Sequence, residues 1–283
     1  MVAPAYFPLP LDGGGLGWGW KRMNAHIGIQ LGRASILIGF LVLWELIVRV
    51  GEIPPFIVPT PSSVAVRLYQ AVVEGTLWPH ALVTLSEILA GLAIGVAAGL
   101  LFGVTVALMP LAEDLIYPYL VAIQTLPKVA IAPLLIIWFG YGITSKIIIT
   151  ALVAFFPMLV NVMAGFHSAD RDQLDMMRAF GASRWRTFLN LRLPNALPMI
   201  FAGLEIAVVF AVIGAVVGEF VGAQAGLGYM ITVWNFNLDV AGVFTILVVL
   251  SAIGLTLHGI VKFLSRRTVF WVNRDRDEKI LGI

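Results

Sequence analysis

The chain has 283 residues, of which 60% are hydrophobic and 12% charged, and its mean hydropathy is +0.95. A soluble domain carries about 25% charged residues to keep its surface wetted, so half that fraction implies that lipid covers most of this one. The net charge of +2 does not suggest nucleic acid, and the lack of cysteine excludes a disulfide framework, thiolate catalysis and cysteine-ligated metal.

Residues 1–33 read as an N-terminal tail and interfacial segment, with Phe7, Trp18 and Trp20 as candidate contacts to a membrane surface. The stretch before Lys21 and Arg22 is rich in Gly and Pro and lacks the pattern of a cleavable signal, so the first apolar run is expected to stay as an anchor. Crossing about 30 Å of hydrocarbon takes roughly 20 helical residues. Six apolar runs approach that length, at residues 34–50, 83–109, 116–139, 147–167, 198–221 and 243–264. They are continuous rather than alternating, which argues for helices and against a barrel. The expected fold class is therefore an all-α membrane protein of six transmembrane helices, with the membrane domain over 34–264 and a short tail at 265–283.

Between the first two spans, Pro54, Pro55, Pro59 and Pro61 precede a short helix over 62–73 with Ser62 or Ser63 as its cap. The second span carries Gly91, Gly95, Gly99 and Gly103 on one helical face, a stripe that lets another backbone approach closely. Placing both termini in the cytoplasm puts fourteen of the 18 lysines and arginines there, five of them between the fourth and fifth spans.

Ionisable groups inside spanning helices are costly and are candidates for function. Glu45, Glu87 and Glu219 fall near span ends on the exterior side, where water is within reach and a structural role is expected. Lys128 and Glu205 lie deeper and read as partners for each other or for another subunit. The four histidines, His26, His80, His167 and His258, have no metal-ligand spacing, and no metal site is expected.

The longest polar stretch in the membrane domain is the loop 170–195, DRDQLDMMRAFGASRWRTFLNLRLPN. A connection between two helices needs only a handful of residues. Here the acidic Asp170, Asp172 and Asp175 open a helix, Gly181 ends it in a left-handed conformation, and Ser183 caps a second helix through Trp185, Phe188 and Leu189. Leu174, Met177, Gly181, Trp185 and Phe188 share one side, leaving the arginines to face outward. On the residues alone, an element that docks on a partner and an amphipathic hairpin resting on the headgroups are equally good readings.

The loop resembles the EAA signature of ABC-importer permeases: EAA, three residues, Gly, nine residues, Ile, one residue, Leu-Pro. Asp175, Met176 and Met177 stand at the EAA positions, Gly181 at the glycine, Leu191 at the isoleucine, and Leu193 and Pro194 at the closing pair. Residues 124–142 (QTLPKVAIAPLLIIWFGYG) and 216–231 (VVGEFVGAQAGLGYMI) are similar to the nitrate/sulfonate/taurine-like branch of that family. The resemblance implies the type I importer permease fold, in a multi-pass protein of the bacterial inner membrane. It also implies a homodimer of permeases, two cytoplasmic ATPase subunits that use ATP and magnesium, and a periplasmic binding protein that delivers a small solute. This chain would bind no cofactor and be no enzyme, and it lacks the glycine-rich phosphate loop of an ATPase. Carried over onto this sequence, the coupling residues are Asp175, Arg178, Gly181, Ser183, Arg184, Trp185, Arg186, Leu191, Leu193 and Pro194, with Pro194 setting the entry into the fifth span. The solute path is expected along Gln124, Asn161 and Glu205. The rival reading, a self-sufficient secondary transporter or channel, leaves the loop unexplained and predicts inverted repeats that the sequence does not show.

Overall fold

In lipid the backbone has no water to bond, so long apolar runs resolve into helices that satisfy their own N–H and C=O groups. The structure, a computed structural model, describes residues 17–271. Phe7, Arg274, Arg276, Lys279 and the side chains of Trp18 and Trp20 lie outside what is described. The chain divides into two units, one ending at Ser63 and the other starting at Val64.

The first unit is built on helix α1 (Gly17–Val50). This helix starts well before the expected residue 34, because no proline interrupts the stretch and polarity ends a lipid-spanning run without ending a helix. At its far end Glu45 accepts from Arg49 at 2.6 Å, from the Ser62 backbone N–H at 3.0 Å and from the Ser62 hydroxyl at 2.7 Å. The carboxylate thus closes the proline-rich turn onto the helix.

Helix α2 (Pro61–Val73) leads into the second unit, which contains α3 (Leu77–Leu108), α4 (Pro110–Thr125), a 3₁₀ turn (Lys128–Ile131), α5 (Ala132–Phe139) and α6 (Ile143–His167). Then come α7 (Arg171–Ala179), α8 (Arg184–Thr187), α9 (Leu193–Gly222), α10 (Leu227–Phe236) and α11 (Val240–Thr268). By length and apolar composition α1, α3, α6, the run Arg184–Gly222 and α11 each suffice to cross a membrane.

The glycine stripe sets the packing. Gly91 rests on Thr150, Gly95 on Ala151 and Ala154, Gly99 on Met158 and Gly103 on Val162, so residue numbers rise together and α3 runs parallel to α6. Against α9 the order reverses, Gly203 meeting Asn161, Gly214 meeting Thr150 and Gly218 meeting Lys146. Helix α11 is antiparallel to α9 in turn, Ile246 and Leu250 packing with Val216 and Val212, and Ile253 and Leu257 with Ala211 and Ala207. The ends of α3, α6 and α11 and the start of α9 therefore share one end of the bundle, together with the loop 170–195.

Parallel α3 and α6 require the chain to return across the bundle between them. That return is made by α4 and α5, which are bent by 74° at the break between them. The third apolar run, 116–139, is thus a broken span, as its prolines lead one to expect. Pro127 lacks an N–H and pushes Leu126 into extended backbone, with φ −64° and ψ 134°, which ends α4. Counting the bent pair as one span, the described residues hold up to six helices long and apolar enough to cross a membrane.

Candidate functional site

The loop is shaped by local backbone chemistry. Asp170 caps α7 by accepting from the Asp172 N–H at 3.2 Å. At the other end Gly181 takes φ +67°; its N–H bonds the Arg178 carbonyl at 2.9 Å and the Ala182 N–H bonds that of Met177 at 3.0 Å. These two bonds form a Schellman motif. Ser183 then caps the next helix by accepting from the Arg186 N–H at 3.3 Å. The expected helix, turn and cap are all in place.

The second helix differs from the expectation in one respect. It is not a separate element, since α8 passes through a π turn (Phe188–Arg192) straight into α9, giving one helical run Arg184–Gly222 of 39 residues. Pro194, expected to set a new entry, sits inside that run. Its ring would press on the carbonyl four residues back, and the wider π turn immediately before it absorbs the mismatch.

Leu174 and Met177 are half-buried, whereas Arg184 and Arg186 face outward and Leu191, Leu193 and Pro194 are half-buried. Trp185 stacks on Phe188 and Phe188 on Phe166, with ring centroids 5.6 and 5.5 Å apart. This aromatic ladder links the loop to the end of α6. Asp175 and Arg178 pair with each other at 2.8 Å and are both largely exposed, an arrangement that contributes little stability. Between α7 and the ends of α3 and α6 lies a cavity of about 570 Å³, bordered by Leu108, Phe166, Leu174 and Arg192.

The outward surface carries an apolar patch in which Met176 is 51%, Phe180 80% and Trp185 66% exposed. The sequence pattern singled out Trp185 but assigned Phe180 no role. Its signal was its place: it immediately precedes a turn glycine, where a large apolar side chain has little of its own helix to pack on.

The expected pathway residues are less unified. Gln124 is exposed, while Asn161 and Glu205 are half-buried. Asn161 donates to the Pro157 carbonyl at 2.8 Å, its own i−4 carbonyl within the continuous helix α6. Lys128 and Glu205 form no ion pair with each other among the described residues. Lys128 instead donates to the Gln124 carbonyl at 2.9 Å and lies 4.6 Å from the centre of the Phe156 ring.

At the opposite end of the bundle the structure assembles a polar cluster that the sequence pattern did not bring together. Glu87, Lys146, Glu219 and Thr84 are all at most 2% exposed, so Glu87 and Glu219 do not reach water as expected. Glu219 accepts from Thr84 at 2.6 Å, from the Gly228 N–H, and from the Tyr229 N–H at 3.4 Å. Thr84 accepts from the Leu227 N–H at 2.7 Å and His80 from the Gly226 N–H at 3.0 Å. These bonds satisfy the free N–H groups at the start of α10. Lys146 donates to the carbonyls of Tyr141, Gly142 and Gly222. Glu87 stands beside Glu219. The cluster ties α3, α6, α9 and α10 together, and no single segment contains its pattern.

Residues 95–270 match the family of binding-protein-dependent transport system inner membrane components. The chain belongs to this family. The matched stretch runs from the glycine stripe through the loop to the last helix. The chain is similar to the riboflavin transport system permease protein RibX of Chloroflexus aurantiacus, with 39% identity over 85% of this chain and 90% of the relative. It is 36% identical to the formylaminopyrimidine transport permease protein ThiX of Halalkalibacterium halodurans, over 82% of this chain and 92% of that one. Its identity to the taurine transport system permease protein TauC of Escherichia coli is 29%, over 90% and 94% of the two chains. The chain is thus a multi-pass, inner-membrane permease component of an ABC-type, binding-protein-dependent system for small solutes.

Proposed function

We propose that this permease works as one half of a homodimeric importer, with both termini and the loop 170–195 in the cytoplasm and with the loop docked on a separate ATPase subunit. The observation that carries this reading is the loop itself. It presents Met176, Phe180 and Trp185 outward on an element braced by the Schellman turn and the aromatic ladder. Exposed apolar groups of this size at a water-facing end mark a protein contact. Because α8 continues without a break into α9, a push on the loop is delivered to a crossing helix as a rigid-body displacement. The positive-inside distribution of lysine and arginine supports the cytoplasmic placement.

In this reading ATP and magnesium belong to the partner, since the chain has no phosphate-binding loop, and this chain binds no cofactor. A periplasmic binding protein delivers the solute to the end that carries α10. The solutes named for the relatives range from riboflavin and formylaminopyrimidine to taurine, which supports a small organic solute. The test is ATP hydrolysis by the chain alone and after co-expression with its cognate ATPase and binding protein. Hydrolysis stimulated by solute-loaded binding protein is expected in the complex only, and hydrolysis by the isolated chain would overturn the reading.

A further inference from the structure

Helix α6 spans 25 residues and Phe156 is the fourteenth of them, which puts its ring midway along a helix long and apolar enough to cross a membrane. Lys128 lies over that ring, 4.6 Å from its centre, and donates to the Gln124 carbonyl at 2.9 Å. A mid-depth ammonium is costly unless something answers its charge. No carboxylate pairs with it among the described residues, and Glu205, at a similar depth on α9 by its neighbour Gly203 on Asn161, does not reach it. A ring face and one carbonyl hold the group in place without neutralising it.

The backbone around it gives a second, independent indication. Residues 122–127, which include the break before Lys128, are exposed in this chain. Irregular backbone at membrane depth is tolerated only where protein covers it or where it lines a water-filled cavity. In the permease pair proposed above, this face would be met by the second copy or would line the path between the two.

We propose that Lys128 is the selectivity residue of the translocation path. Its ammonium sets a positive potential at mid-path, favours solutes bearing a carboxylate, sulfonate or phosphate, and turns away small cations that would otherwise leak through. This rests on the reading of the chain as half of a permease pair. Gln124 is exposed and its carbonyl accepts from the Lys128 ammonium at 2.9 Å, so a probe at this position senses that potential.

The chain has no cysteine, so a single introduced thiol reports without background. The experiment uses the complex with the ATPase and binding protein, reconstituted in liposomes and first shown to hydrolyse ATP in response to the binding protein. Gln124→Cys is labelled with anionic sulfonatoethyl methanethiosulfonate or with cationic trimethylammonioethyl methanethiosulfonate, with Lys128 intact, as Lys128→Gln, or as Lys128→Arg. The expected result is labelling by both reagents, with the anionic-to-cationic rate ratio falling about tenfold in Lys128→Gln, as expected for one charge a helical turn away acting on ions of opposite sign. Lys128→Arg retains the ratio. No labelling of Gln124→Cys, or a ratio unchanged by Lys128→Gln, in a complex that still hydrolyses ATP, overturns the proposal and leaves the permease reading standing. Failure of the complex to assemble at all strikes at that reading instead.

Discussion

Gly181 holds φ +67°, and nothing lies within 4 Å of the place a Cβ would occupy. Its requirement is therefore conformational rather than steric. A β-branched residue in that backbone region costs about 1–2 kcal/mol, while asparagine visits it readily. Gly181→Val is expected to abolish binding-protein-stimulated ATP hydrolysis in the assembled system, whereas Gly181→Asn retains most of it. Equal activity in the two variants would show that the turn is irrelevant to coupling. Glu219 presents the opposite case, being buried and satisfied by a hydroxyl and two backbone N–H groups. Glu219→Ala strands those donors, and a loss of about 3 kcal/mol is expected. The reading is a lowered thermal midpoint in detergent together with new protease cleavage at residues 222–228.

At the scale of elements, the α3–α6 pair is the frame of the bundle. A Cβ added at Gly95 would stand 2.6 Å from the Ala151 carbonyl oxygen, and one at Gly99 would stand 2.8 Å from the Met158 Cβ. Backbone cannot swing aside as a side chain does, so Gly95→Leu is expected to separate the helices at a cost of at least about 1–3 kcal/mol. Lower yield of folded protein and loss of the thermal transition would report this, while Gly39→Leu, whose glycine has open space around it, is expected to change neither. The stripe was legible in the sequence because period-four glycines fall on one helical face whatever surrounds them. The cap at Ser183, the turn at Gly181 and the acidic start of α7 were legible for the same reason, being set within a few residues. The buried group of Thr84, Glu87, Lys146 and Glu219 was not, since it joins residues as far apart as 135 positions, the separation of Thr84 and Glu219. Pro127 at the bend was visible, but its 74° angle was not, since a proline breaks a helix without fixing the direction of the next one. The continuity of α8 into α9 escaped because a π turn has no side-chain signature of its own.

For the whole molecule, the order of packed helices fixes a polarity. Parallel α3 and α6, with α9 antiparallel to them and α11 antiparallel to α9, gather the loop 170–195 and the end of α11 at one end and α10 with its polar latch at the other. One end is thereby equipped with an exposed apolar patch on a rigid lever, and the other with a hydrogen-bonded cap that holds the crossing helices in register. Transport driven by a separate ATPase needs this asymmetry, since force enters at one end and solute at the other. The absence of cysteine makes that claim measurable. With Phe180→Cys, 80% exposed in this chain, a short bifunctional crosslinker is expected to join the permease to its ATPase, with a yield that changes when ATP binds. Tyr141→Cys, 70% exposed at the far end, is expected to give no such product. Crosslinking to the ATPase from Tyr141→Cys and not from Phe180→Cys, in a complex that hydrolyses ATP, would contradict the assignment of the loop as the coupling element.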